Sequence, residues 1–195
     1  MNLQIILASK SGVRKTILNK NGIKCLVMPA NIDEDSIKES LQKEKATPNL
    51  ISKNLAELKA NKISKKKPNS LVLGADSVID LHGKLISKPT SREQALDILQ
   101  ELSGQKHQLI SSACISKNGA MIWNFTDVST LTMKKLNLDE IKSYLSKIKN
   151  KTLYAYGVYQ IEADGRSLFS EIEGEEDTIM GLPVKQIKEY LGTLK

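Results

Sequence analysis

Apolar positions recur with two different periods along the chain, and the switches between them predict the secondary-structure elements. The apolar run Leu3 to Ala8 reads as a strand, "SKSGVR" as a polar turn, and Gly12 to about Asn21 as a helix closed by Gly22 in a left-handed cap. A second strand, "IKCLVMP", leads through "ANIDEDS" into a helix over roughly Asp35 to Glu44. Thr47 and Pro48 have the cap and first-turn chemistry of a helix start, with Ile51, Leu55 and Leu58 expected on its buried face.

After Pro68 comes a strand around "LVLGADSVID", turned by "LHGK" into "LIS". "TSREQALDILQELSG" predicts a helix, with Thr90 and Glu93 at capping-box spacing and Gly104 at its end. Gln108 to Lys117 and Met121 to Lys134 read as two long strands joined by Asn118-Gly119. Asn137 caps a helix over Leu138 to Ile148, strands are expected in "YGVYQIEA" and "RSLFSEI", and Pro183 to Leu191 closes the pattern as a short helix. Two tight hairpins exclude a purely parallel, doubly wound sheet. The expected fold is α/β: a single domain over residues 1–195, in one body or two close-packed lobes, with a mixed curved sheet around a central cleft and helices outside.

Composition narrows the class. With 40% hydrophobic and 26% charged residues the chain is that of an ordinary globular protein. No stretch approaches the apolar length of a membrane span, and "LQIILA" follows the N-terminus with no signal-peptide pattern, so a cytoplasmic location is expected. Cys25 and Cys114 stand far apart in apolar segments and read as buried thiols. The net charge of +7 suits an anionic partner, but it is spread over the Lys-rich chain, and "SKKKP" reads as a solvated helix end.

Four segments combine polar chemistry with element ends. In "ASKSGVR", Ser9, Ser11 and the amides of the following helix could hold a phosphate, with Arg14 adding a forked cation; a serine-rich turn capping a helix explains the same residues. In "NIDEDS", Asp33, Glu34 and Asp35 are either dipole partners of a helix start or contributors to a metal site. Asp76 lies inside an apolar strand, where an unpaired carboxylate costs several kcal/mol. Strand alternation puts Val72, Gly74 and Asp76 on one face and Leu73, Ala75 and Ser77 on the other. Gly74 signals a close approach to the backbone, and Asp76 is either a bonded strand aspartate or a reactive one. In the fourth segment, "YAYGVYQIEADGRSLFSEIEGEEDTIMGLPV", two tyrosines bracket Gly157 and Glu162 ends a strand-like alternation.

In this order, "LASKSGVR", "IDED", "LAELKA", "LGADSVI", "SKPTSREQA", "LSGQKH" and "IEGEEDTIMGLPV" resemble the Maf family of nucleoside triphosphate pyrophosphatases, the septum-formation-inhibitor-like proteins. The resemblance implies hydrolysis of a nucleoside triphosphate between the α and β phosphates, giving the monophosphate and pyrophosphate, with Mg²⁺ or Mn²⁺. It implies a cytoplasmic, house-cleaning enzyme that removes non-standard or surplus nucleotides, and a homodimer. Asp76 matches the catalytic aspartate of the family's Gly-Ala-Asp-Thr segment, as base or as metal ligand. Glu34 matches a metal-binding or water-orienting carboxylate. Lys59, Lys88, Ser9 and Arg14 match substrate contacts, with Gly74 and Ala75 leaving room for the substrate.

Departures from the family pattern bear on specificity. Val13 replaces the first arginine of the Ser-x-Ser-Pro-Arg-Arg start, Ser77 replaces threonine, and Glu162 stands where the pyrimidine-specific branch has glutamine. A nonpolar position 13 with Glu162 resembles the branch acting on 7-methyl-GTP. The alternative is a non-catalytic nucleotide- or nucleic-acid-binding regulator of cell division. Retention of Glu34, Lys59, Asp76 and Lys88, with no basic stripe interleaved with aromatics, argues against nucleic acid.

Overall fold

Side-chain caps set most helix starts. Ser11 opens α1 (Gly12–Lys20) by accepting from the Arg14 amide, Asp33 opens α2 (Glu34–Lys43) through Ser36, and Thr47 opens α3 (Pro48–Lys66) through Leu50. Helix α4 (Arg92–Leu102) starts one residue later than Thr90 would place it. Ser91 caps it by accepting from the Gln94 amide, while the Gln94 side chain reaches back to the Thr90 amide and hydroxyl. Asn137 and Glu140 form the reciprocal cap of α5 (Leu138–Ser146). Helices α6 (Asn150–Tyr156) and α7 (Glu176–Ile179) precede the last helix, α8 (Val184–Thr193).

The computed structural model describes residues 4–161 and 163–194. The strands are β1 (Ile5–Leu7), β2 (Cys25–Val27), β3 (Val72–Leu81), β4 (Lys84–Ile86), β5 (Lys106–Lys117), β6 (Ala120–Met133) and β7 (Phe169–Glu173). They form one mixed sheet in the order β2-β1-β3-β5-β6-β7, with β4 paired to β3. β1 is parallel to β2 and β3, whereas β3–β4 and β6–β7 are antiparallel. The predicted mixed α/β fold with flanking helices is therefore present. Both hairpins turn through pairs with positive φ, His82-Gly83 and Asn118-Gly119.

The chain forms two compact units. The first contains Met1–Ser77, Ile110–Val128 and Glu175–Lys195; the second contains Val78–Leu109 and Ser129–Gly174. In the first unit, Leu7, Leu18, Leu73, Ala75, Ile115 and Ile187 belong to one core that joins α1 and α8 to one face of the strands. On the other face, Ile63 of α3 packs with Ile6 and Val72, and Ala56 and Ala60 pack with Cys114.

Two expectations change. Leu58 is exposed, and the buried face of α3 runs through Ile51, Leu55, Lys59 and Ile63 instead. The segment "YGVYQIEA" forms no strand among its described residues. Tyr156 ends α6, Gly157 turns at φ +100, and Val158, Tyr159 and Ile161 are buried in irregular chain. Residues Asp164–Leu168 form a 3-10 helix leading into β7. Both cysteines are free thiols; burial pushes Cys114 up to about 11 and raises Cys25 more modestly.

In the second unit, His107 is almost fully buried, 2.9 Å from the Tyr159 hydroxyl and flanked by Phe169. Desolvation pulls its pKa from 6.5 down to about 4, against a backbone hydrogen bond at Gln105. The fold thus holds neutral imidazole, so its contribution to stability is full above pH 6.5 and is lost as pH falls through about 4. Denaturant titrations should lose roughly 3 kcal/mol from this group between those limits. His107→Gln should flatten that part of the profile; an unchanged slope in the variant would assign the loss elsewhere.

Candidate functional site

The carboxyl ends of parallel strands are where α/β sheets hold ligands. Here β1 and β3 lie in register, Ile6 beside Val72 and Leu7 beside Leu73, and the Ala8 amide donates to the Leu73 carbonyl. This brings the turn after β1, with Ser9, alongside Ala75 and Asp76.

Gly74 sets the depth of the site. A Cβ at this position would lie 2.1 Å from the Ala56 carbonyl oxygen and 2.7 Å from the Ala60 nitrogen. The close approach signalled by Gly74 is therefore that of helix α3, and Ala75 is fully buried in the core. The expectation that these two residues make room for a substrate is corrected: Gly74 makes room for α3, and Ala75 packs in the core on the opposite face of the strand.

That approach delivers Lys59. Its Nζ lies 2.7 Å from Asp76 Oδ1 and 2.7 Å from Glu34 Oε1. The side chains of Lys59 and Asp76 are 9% and 7% exposed, that of Glu34 32%. Of the three acids around α2, Asp33 caps the helix, Asp35 is exposed, and Glu34 alone among them reaches Lys59. The Ser52 hydroxyl on α3 donates to the Asp76 carbonyl, fixing the strand at the same residue. Asp76 Oδ2 is buried with no hydrogen-bond partner in the structure. A buried carboxylate oxygen in that condition is costly unless a cation or donor reaches it.

Arg14 is anchored from three sides. Its Nε donates to the Gly181 carbonyl (2.8 Å), Nη1 to the Ala75 carbonyl (2.9 Å) and Ser9 Oγ (3.3 Å), and Nη2 to Ser77 Oγ (3.1 Å). These four bonds occupy most of the guanidinium's donors, so the fork that sequence assigns to a phosphate is largely taken by protein. Desolvation lowers the Arg14 pKa, while Asp76 and Glu34 pull it back up. It remains a cation.

A hydroxyl chain continues from there. Ser111 Oγ donates its single proton to the Thr178 carbonyl (2.9 Å), so Ser77 must supply the proton shared with Ser111 at 2.9 Å. Thr178 Oγ1 donates to Asp127 (2.9 Å). Ser111, Thr178, Asp127 and Gly181 thus belong to the site's support although sequence reasoning passed over them. The one signal, for Ser111 alone, was the set of hydroxyls Ser111, Ser112 and Ser116 within the buried stretch of β5.

Arg14→Lys keeps the charge but cannot span these acceptors. We expect a loss of about 2 kcal/mol of stability and roughly tenfold in turnover. Urea unfolding and steady-state kinetics check it; wild-type values in both would remove Arg14 from the support of Asp76.

Ser9 is buried, accepting from the Ser11 amide at 3.2 Å as well as from Arg14. Val13 is half-buried and packs against the core rather than joining the polar cluster. Lys88 lies on the exposed segment between β4 and α4, in the second unit. Glu162 lies outside the described residues.

The strand order, with Asp76 in β3 just beyond its parallel pairing with β1, and the buried Lys59 between Asp76 and Glu34 define an α/β protein with a buried cluster of charges. Its fold is that of the HAM1 protein from Coxiella burnetii, at a TM-score of 0.51 and 14% identity, covering 98% of this chain and 99% of that one. The Maf-like protein family matches residues 4–194, and the chain belongs to that family. A nucleoside triphosphate pyrophosphatase of Pelagibacter ubique is 67% identical over 98% of both chains. A 7-methyl-GTP pyrophosphatase of Mesorhizobium japonicum is 37% identical over 100% of this chain and 98% of its own. Among the described residues, no helix is long and apolar enough to cross a membrane.

Proposed function

We propose that the chain is a nucleoside triphosphate pyrophosphatase, cleaving a standard or modified nucleotide between its α and β phosphates with the help of a divalent cation. The observation that carries this reading is the buried Asp76 carboxylate, with one oxygen held by Lys59 and the other without a partner. Membership of the Maf family and the activity named for the 67% identical relative support it.

The residues present fit Mg²⁺ or Mn²⁺. Asp76 Oδ2 and the Glu34 carboxylate are hard oxygen donors, and two such groups suit an ion whose other ligands are phosphates and water. When bound, the cation supplies neutralisation of the triphosphate charge.

The chain's own groups do the rest. Lys59 neutralises part of the charge of Asp76 and Glu34 through its two short contacts. Asp76, held on Oδ1, aims Oδ2 as the acceptor that orders a cation or takes the proton of an attacking water. Ser9 and the turn into α1 receive phosphate oxygens, Arg14 adds positive potential while fixing Ala75 and Ser77, and Lys88 is a further substrate contact. Val13 and Glu162 are the candidates for base selection, and 7-methyl-GTP is the first modified nucleotide to try.

A screen of standard, methylated and deaminated nucleoside triphosphates, with Mg²⁺, with Mn²⁺ and with chelator, tests this directly. At least one nucleotide should yield pyrophosphate, and chelator should stop it. Release that persists in chelator would remove the cation; no release from any nucleotide would leave the catalytic reading without support.

A further inference from the structure

Lys59 occupies the place where positive charge matters most. We infer that Lys59 is the resident counter-ion of the Glu34–Asp76 pair and makes cation binding conditional on nucleotide; this rests on the pyrophosphatase reading above.

A single ammonium contacts both carboxylates at 2.7 Å, and it is nearly as buried as Asp76. It comes from α3, which Gly74 admits to backbone contact, so the lysine has little room to withdraw by moving its helix. Two carboxylates held this close with no counter-ion would repel each other strongly in a partly desolvated site. Lys59 removes that repulsion, and in doing so it opposes any second cation directed at the same two groups.

A triphosphate reverses the balance. Its oxygens offer the ammonium new anionic partners and bring the extra negative charge that makes a divalent ion favourable beside Asp76 Oδ2. Nucleotide and cation therefore raise each other's affinity by the same factor. Without nucleotide the carboxylate pair is already neutralised in part, and the site does not collect free divalent ions.

The test is Mn²⁺ binding to the full chain, followed by electron paramagnetic resonance of the free ion, with and without the α,β-methylene analogue of whichever nucleotide turns over. Wild type should bind Mn²⁺ weakly alone and at least about tenfold more tightly with the analogue, beyond what the analogue binds by itself. Lys59→Met, shown to be folded by circular dichroism, should bind Mn²⁺ alone at least about tenfold more tightly than wild type, as loss of a neighbouring charge at short range requires. Lys59→Arg should stay like wild type, and adding Asp76→Asn to Lys59→Met should erase the gain. Wild type that binds Mn²⁺ equally well with and without analogue overturns the inference, whatever the variants do. So does a folded Lys59→Met that binds no tighter. Absence of both pyrophosphate release and Mn²⁺ binding in wild type would instead sink the pyrophosphatase reading itself.

Discussion

Asp76→Asn is expected to reduce pyrophosphate release by about a thousandfold, the scale set by loss of a positioned acid–base group, while the protein stays folded. Asparagine keeps the size of the side chain and can still accept from Lys59, the contact now made at 2.7 Å to Oδ1. Lys59 also retains Glu34, so no lone charge is left buried. What disappears is the negative charge on the partnerless oxygen, Oδ2. The amide group that replaces it is a donor, which can neither bind a cation nor take a proton from water. Parallel assays of pyrophosphate and urea midpoint separate the two effects. Collapse of the fold together with activity would make Asp76 chiefly a structural partner of Lys59, and retained activity would move the chemistry elsewhere.

Gly74→Ala is expected to be the most damaging small substitution in the first unit. The added Cβ would stand 2.1 Å from the Ala56 carbonyl oxygen and 2.7 Å from the Ala60 nitrogen. Both are helix backbone and cannot swing aside, so α3 must retreat from the strand. Overpacking of this kind costs about 3 kcal/mol. The retreat would also draw Lys59 away from Asp76, so activity should fall with stability, even though Gly74 carries no reactive group. Gly12→Ala is the control: nothing lies within 4 Å of its added Cβ, and its backbone is that of a helix start. A urea midpoint for Gly74→Ala equal to that of Gly12→Ala would mean that α3 packs less closely than described.

These two residues also mark how far sequence could be read. Strand alternation correctly placed Gly74 and Asp76 on one face and flagged a close approach, but only tertiary packing could say that the approaching body was a helix. The partner of Asp76 was hidden for a related reason. Lys59 falls on the buried face of α3, where an apolar count selects Leu58, one position away on the exposed side. A buried lysine breaks the hydrophobic period, and its partners come from residues distant in sequence. Caps and turns were legible because they act over a few residues; the Thr90-to-Ser91 shift shows the limit, since adjacent hydroxyls compete for one role. "YGVYQIEA" failed because its apolar residues Val158, Tyr159 and Ile161 are buried in irregular chain, with Gly157 at positive φ where the strand would have begun. Arg14 shows the remaining gap: its residue type suggested a phosphate, and its geometry gives most of its donors to the Ala75 and Gly181 carbonyls, Ser9 and Ser77.

The central claim is the bond that is broken. Phosphorus NMR of the products formed by the wild-type protein with Mg²⁺ and its preferred nucleotide reads it without any variant. The account predicts a nucleoside monophosphate and pyrophosphate in equal amounts; a nucleoside diphosphate with orthophosphate would contradict it.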